Sequence, residues 1–229
     1  MAQERATSPV KHAMPRLSTD LRGLLQAYTA LREAWPHAWP GLSAVVRGAL
    51  VWVGGGSPRA ADGRAGRLLN VLMSAADIVE REGAHRAAKG IEPAYHNRLH
   101  MADTIVSMAG LLKARRRWSS GVNTDLSHAE LLCLLAMVIH DFQHDGSINE
   151  APGEIERHSL QNFLPHARAL DLPLDDWTTL TRLVLNTDPA TVGQLHEEFS
   201  ALKLAPGDPL ELREMAVLVT EADVLASGL

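Results

Sequence analysis

Ser127-His128-Ala129-Glu130-Leu131-Leu132-Cys133-Leu134-Leu135-Ala136-Met137-Val138-Ile139-His140-Asp141 is the stretch that decides the fold. Ser127 and Glu130 have the spacing of a capping box, which satisfies two otherwise orphaned donors at a helix start. From Leu131 to Ile139 every residue is apolar. A helix with no polar face has nothing to give to water and belongs in a core. Cys133 lies inside this run and reads as a small buried hydrophobe; as the chain's single cysteine it excludes an intrachain disulfide. The run stops on His140-Asp141, two polar groups at the end of a helix that must be buried. Such groups cost free energy unless something satisfies them.

Working outward, the same periodicity recurs. Ser18-Thr19-Asp20 offers N-cap chemistry to Leu21, Leu24, Leu25, Tyr28 and Leu31, with a stop expected near Trp35-Pro36. Between Pro36 and Gly66 the signal is weakest, because Pro40, Gly54-Gly55-Gly56, Pro58 and Gly63 interrupt it. Trp39 and Trp52 in that stretch read as packing anchors. A helix follows from Arg67 to about Gly90, then others over about 95–118, 153–170, 175–186, 192–202 and 209–226. No alternation of period two is long enough for a sheet, and no internal repeat is present. The expectation is an all-α, compact multi-helix domain over 18–229, preceded by a loose lead-in over 1–17.

Composition agrees. A chain of 229 residues suits one core. Hydrophobic residues at 46% and charged residues at 21% exclude a mostly disordered chain. A net charge of −5 argues against a nucleic-acid partner. The one basic run, Arg115-Arg116-Arg117, is expected to sit in solvent at a helix C-terminus. No apolar run is long enough to span a bilayer and Met1 to Lys11 has no secretory core segment, so a cytoplasmic protein without membrane partners is expected.

Four segments collect the chemistry. In Tyr95-His96-Asn97-Arg98-Leu99-His100-Met101-Ala102-Asp103 the two histidines are four apart, a spacing that puts both imidazoles on one face of a helix. The others are His140-Asp141-Phe142-Gln143-His144-Asp145-Gly146-Ser147-Ile148-Asn149, Glu154-Ile155-Glu156-Arg157-His158 and Thr220-Glu221-Ala222-Asp223. Asp141 and Asp223 both follow apolar helical stretches. A divalent cation would compensate such placements, since neutral imidazole and carboxylate are its usual ligands.

Tyr95-His96-Asn97 with His100 and Asp103, followed by His140-Asp141 with His144, Gly146 and Asn149, resembles the class I cyclic-nucleotide phosphodiesterases. These belong to the wider HD-domain superfamily of metal phosphohydrolases. Asn186-Thr187-Asp188 and Ala222-Asp223 look like later motifs of the same family, so the resemblance covers more than half the chain. It implies hydrolysis of a small-molecule phosphodiester by a metal-activated water. His100, His140, Asp141 and Asp223 would hold a tight ion, zinc in the family. Asp141 would bridge to a second ion, magnesium or manganese, whose waters His144, Glu156 and Thr187 would orient. His96 would be the general acid, and Tyr95 and Asn97 would shape and brace the substrate pocket.

The sequence departs from that family in two places. The chain given ends six residues past Asp223, before the helices that carry the family's base-reading glutamine and stacking aromatic. Weak base selectivity is therefore expected, and apolar surface near the last helix suggests a homodimer. The histidine after the Thr-Asp segment is also missing, with Val192 near its place and His196 expected at the surface. Two other readings fit the same residues: a superfamily hydrolase of nucleotides or phosphomonoesters, and a catalytically silent nucleotide-binding module.

Overall fold

The computed structural model describes residues 14–54, 63–119 and 125–227. Among them are nine α-helices and no strand: α1 (Met14–Ala34), α2 (Leu42–Gly54), α3 (Gly63–Ala88), α4 (Arg98–Trp118), α5 (His128–Ile139), α6 (Glu154–Ala169), α7 (Leu174–Leu185), α8 (Val192–Ser200) and α9 (Leu212–Ser227). A short 3-10 turn, Pro189–Thr191, leads into α8. None of these helices is long and apolar enough to cross a membrane.

The core is built around two helices that lack a wet face. In α5 every residue from Glu130 to Ile139 is buried, and in α4 every residue from His100 to Ala109 is buried. Helix α4 packs against α1, α2, α5 and α9, while α5 packs against α3, α4, α7 and α9. The Ser127–Glu130 capping box forms in full. Cys133 is completely buried among these helices, and burial raises its thiol pKa, so it is no nucleophile.

Local chemistry moves some boundaries from their expected places. Helix α1 starts at Met14, so Ser18, Thr19 and Asp20 lie inside it. Pro15 falls in the first turn, where its missing N–H costs nothing. Residues 1–13 of the expected lead-in lie outside the described residues. The weak stretch before Gly66 contains α2, whose Leu42, Val46 and Leu50 are fully buried. Trp39 donates from Nε1 to Glu80 Oε2 (2.9 Å) and meets Trp35 edge-on. Trp52 packs against the core, with the Lys113 ammonium over its ring.

The basic run is solvated only at Arg117, which is exposed; the other two arginines turn inward. Arg115 grips Glu214 of α9 through two hydrogen bonds (2.6 and 2.9 Å), and Arg116 grips Glu130 of α5 likewise (2.5 and 2.6 Å). Both glutamates are buried. A buried carboxylate needs a partner, and a bidentate guanidinium supplies the best one. These pairs tie the last turn of α4 to the helices that deliver His140 and Asp223.

Candidate metal centre

Helix α4 begins with a strong cap. Asn97 Oδ1 accepts from the backbone N–H of Leu99 (2.9 Å) and His100 (3.2 Å), while its Nδ2 donates to the carbonyls of Pro93 and Ala94. Arg98 then locks the start of the helix, pairing with Glu80 (2.7 Å) and Glu92 (2.8 Å). His96 therefore lies in the turn before the helix, not on its face as the spacing suggested. The two imidazoles converge all the same, with ring centroids 5.5 Å apart.

The second element is the end of α5. His140 is its C-cap and is almost fully buried. Its Nδ1 lies 3.0 Å from the Met137 carbonyl. That contact makes Nδ1 the donor and turns the lone pair of Nε2 to the centre, the usual way a backbone carbonyl selects a ligand tautomer. Gln143 adopts a left-handed conformation (φ 61°) and reverses the chain. His144 is thereby stacked flat on His96, centroids 3.7 Å apart. Its Nδ1 accepts from the Gly146 N–H (2.8 Å), so its proton sits on Nε2. Burial, then the neighbouring His96 and His140, lower the pKa of His144 and keep it neutral.

Helix α9 supplies the third element, Asp223. Thr220, one turn earlier, donates to the Asn186 carbonyl (2.8 Å) and fixes α9 against the end of α7. Asp223 Oδ1 lies 3.2 Å from His100 Nε2 and 3.5 Å from His140 Nε2. Asp141 Oδ2 lies 3.3 and 3.5 Å from the same two nitrogens. It also lies 2.7 Å from His96 Nδ1.

These distances test whether the residues fit a cation. His100 Nε2 and His140 Nε2 are both buried, and neither makes a hydrogen bond. Yet each has two carboxylate oxygens within 3.5 Å. Ligands about 2.0–2.2 Å from a tetrahedral ion are about 3.3–3.6 Å from one another. The four nitrogen–oxygen separations, 3.2–3.5 Å, are of that order and are long for good hydrogen bonds. Two overlapping triads emerge, His100-His140-Asp223 and His96-His100-Asp141, with donor atoms in each within 4.8 Å of one another. The chain carries a clustered His/Asp centre suited to divalent metal on an all-helical frame.

Electrostatics point the same way. Burial alone would lower the pKa of His140, but Asp141 and Asp223 outweigh it and hold it at about 9. His100 is raised in the same manner. Burial would raise Asp223, but the imidazoles of His100 and His140 beside it pull it to about 2. Asp141 lies well below the usual carboxylate range, because the histidines around it overcome its burial. The carboxylates therefore favour positive charge at this point of the core.

A cavity of about 560 Å³ opens over the centre. Tyr95, His96, Asp141, His144, Glu156, Thr187 and Asp223 all line it. Asn97 does not; both ends of its amide serve the turn and the cap. Tyr95 lies against the rings of His96 and His100. Glu156 is held by Asn149 Nδ2 (3.0 Å), and burial, with Asp188 and Asp141 nearby, raises its pKa. Thr187 donates to the Val184 carbonyl (2.8 Å). His196 is half-exposed, pairs with Glu221 (2.7 Å) and does not line this cavity.

Two residues carry more than their sequence suggested. Asp188 is buried in the cavity wall, accepts from the N–H of Gly153 (2.6 Å) and Ala190 (2.9 Å), and so joins the α6 start to the 3-10 turn. Asn149 also accepts from the Ile155 N–H (2.8 Å), placing Glu156. The Asp188-Pro189 step is the readable trace of the first, since aspartate before proline starts a turn. Comparison of the chain with family models, with curated proteins and with solved structures finds no match in any of the three.

Proposed function

We propose that the protein is a metal-dependent phosphodiesterase, with zinc held by His100, His140, Asp141 and Asp223 and magnesium or manganese at a second position beside Asp141. The observation that supports it best is the pair of buried, hydrogen-bond-free Nε2 atoms, each with two carboxylate oxygens 3.2–3.5 Å away. Divalent ions in such a site polarise a phosphoryl oxygen and lower the pKa of water enough to make a nucleophile at neutral pH.

The chain's own groups do the rest. Asp141 holds the His96 ring by Nδ1 and leaves Nε2 as the atom that can protonate a departing alkoxide. His144, neutral with its proton on Nε2, donates a hydrogen bond rather than a proton. Its stacking on His96 holds the acid's ring plane. Glu156 and Thr187 offer acceptors and a hydroxyl in the same cavity, where they would orient water.

The test is elemental analysis of purified protein alongside hydrolysis of bis(p-nitrophenyl) phosphate. Near-stoichiometric metal and turnover abolished by chelation are expected. Asp141→Ala, which removes the carboxylate shared by three histidines, is expected to cost more than a hundredfold. Full activity in that variant or in metal-free protein would refute the assignment.

A further inference from the structure

The cavity has an unusual charge balance. Five carboxylates line it: Asp141, Glu150, Glu156, Asp188 and Asp223. Against them stand His96 and His144, and no lysine or arginine among the described residues. Arg157, the residue after Glu156, turns its guanidinium onto the Pro152 carbonyl (2.6 Å) instead of lining the cavity. Sites that take dianionic phosphate or polyphosphate surround it with guanidinium forks and ammonium groups. Here two dications would be balanced by the carboxylates that surround them. Each further negative charge on a ligand would then face acidic walls at low dielectric.

Part of the mouth is apolar, beside the exposed Ser147 and Glu150. Ile148 is 84% exposed, Val224 55% and Tyr95 47%, and all three line this one cavity. Ile155 and Val192 continue the same surface inward. Large apolar side chains left in water around a polar centre mark a surface that a ligand covers.

We infer that the centre selects phosphodiesters bearing a single negative charge and apolar or aromatic ester groups, and that it discriminates against phosphomonoesters and nucleoside polyphosphates. This rests on the phosphodiesterase reading and adds the substrate class. One charge satisfies the ions without meeting the acidic wall. The ester groups then cover Ile148, Val224 and Tyr95.

Binding tests it without relying on turnover. Calorimetry on the metal-loaded protein compares three stable probes: phenyl phenylphosphonate (one charge, two rings), phenylphosphonate at a pH where it carries two charges, and methyl methylphosphonate (one charge, no ring). The first is expected to bind at least about tenfold tighter than either of the others, the margin that one repelled charge or one buried ring supplies. Ile148→Lys, a change at an 84%-exposed position, should narrow the gap between the first two probes severalfold. Equal binding of the dianion, or of the methyl probe, would overturn the inference. So would an unchanged gap in Ile148→Lys. If this binding order holds while bis(p-nitrophenyl) phosphate is not hydrolysed, the diesterase reading falls and the selectivity stands as that of a binding site. If the diester is hydrolysed and the order is absent, the selectivity alone falls.

Discussion

His96 and His100 are four residues apart and have different partners. His100 is buried with a bare Nε2 facing two carboxylates, whereas His96 is partly exposed and held through Nδ1 by Asp141. A general acid matters in proportion to the basicity of the leaving oxygen, and such catalysis is worth about 10²–10⁴-fold. His96→Ala should therefore slow an alkyl diester by that order and a nitrophenyl diester far less, with metal content unchanged. His100→Ala should slow both equally and lose metal. Equal slowing by His96→Ala, or loss of metal from it, would make His96 a ligand. Asp103 allows a separate test of burial. Its Oδ1 is buried without a partner, and Arg32 reaches only Oδ2, at 3.4 Å. Burial, only partly offset by Arg32, raises its pKa to about 6. Because the folded state holds this proton more tightly than the unfolded chain, the stabilisation is full below about pH 4 and lost as pH rises through 6. Asp103→Asn should then gain on the wild type as pH rises, by roughly 2–3 kcal/mol at pH 8 relative to pH 4. Urea denaturation of metal-free protein measures the difference; a constant offset across that range would contradict it.

At the scale of elements, the centre depends on how closely α3 approaches the start of α4. A Cβ added at Gly83 would sit 2.6 Å from Arg98 Cγ and 2.7 Å from its Cδ. That arginine is held at its far end by Glu80 and Glu92, so it cannot simply swing aside. Gly83→Ala should overpack this contact at a cost of about 1–3 kcal/mol. It should lower Tm by several degrees, at about 2–4 °C per kcal/mol for a chain of this size. It should also reduce activity, because Arg98 opens the helix that carries His100 two residues later. A melting curve and rate equal to wild type would show that the helices move apart freely.

At the scale of the whole molecule, the metal centre joins α4, α5 and α9, three helices distant in sequence. An ion that binds only the folded chain adds about 2.7 kcal/mol at a concentration a hundredfold above its Kd. Chelation should therefore lower Tm by about 5–10 °C, as scanning calorimetry would show. Binding must also expel protons, since the metal-free centre holds His140 protonated up to about pH 9. Zinc affinity should fall as pH drops. Titrations in buffers of different ionisation enthalpy should report about one proton released or more, and zero would contradict the charge state assigned to the centre.

The amino-acid sequence determined the class of the fold and the buried helix at its centre, because both follow from local signals. A capping box at Ser127 and an unbroken apolar run to Ile139 leave α5 nowhere to go but the core. The convergence of His100, His140, Asp141 and Asp223 was legible only through resemblance; what the residues themselves showed was polar groups placed where burial is costly. Other features depended on partners far along the chain. Nothing local in Arg115-Arg116-Arg117 announces Glu214 or Glu130, and a basic helix end reads as solvated until α9 and α5 pack against it. Helix α2 was obscured by flanking glycines and prolines, and tertiary burial of Leu42, Val46 and Leu50 overrides those breakers. The place of His96 before the helix was decided by Asn97, whose side chain caps the two N–H groups that a longer helix would have used itself. The acidic wall with a partly apolar mouth belongs to tertiary structure altogether, since Tyr95, Ile148, Asp188 and Val224 meet only when four separate segments fold against one another.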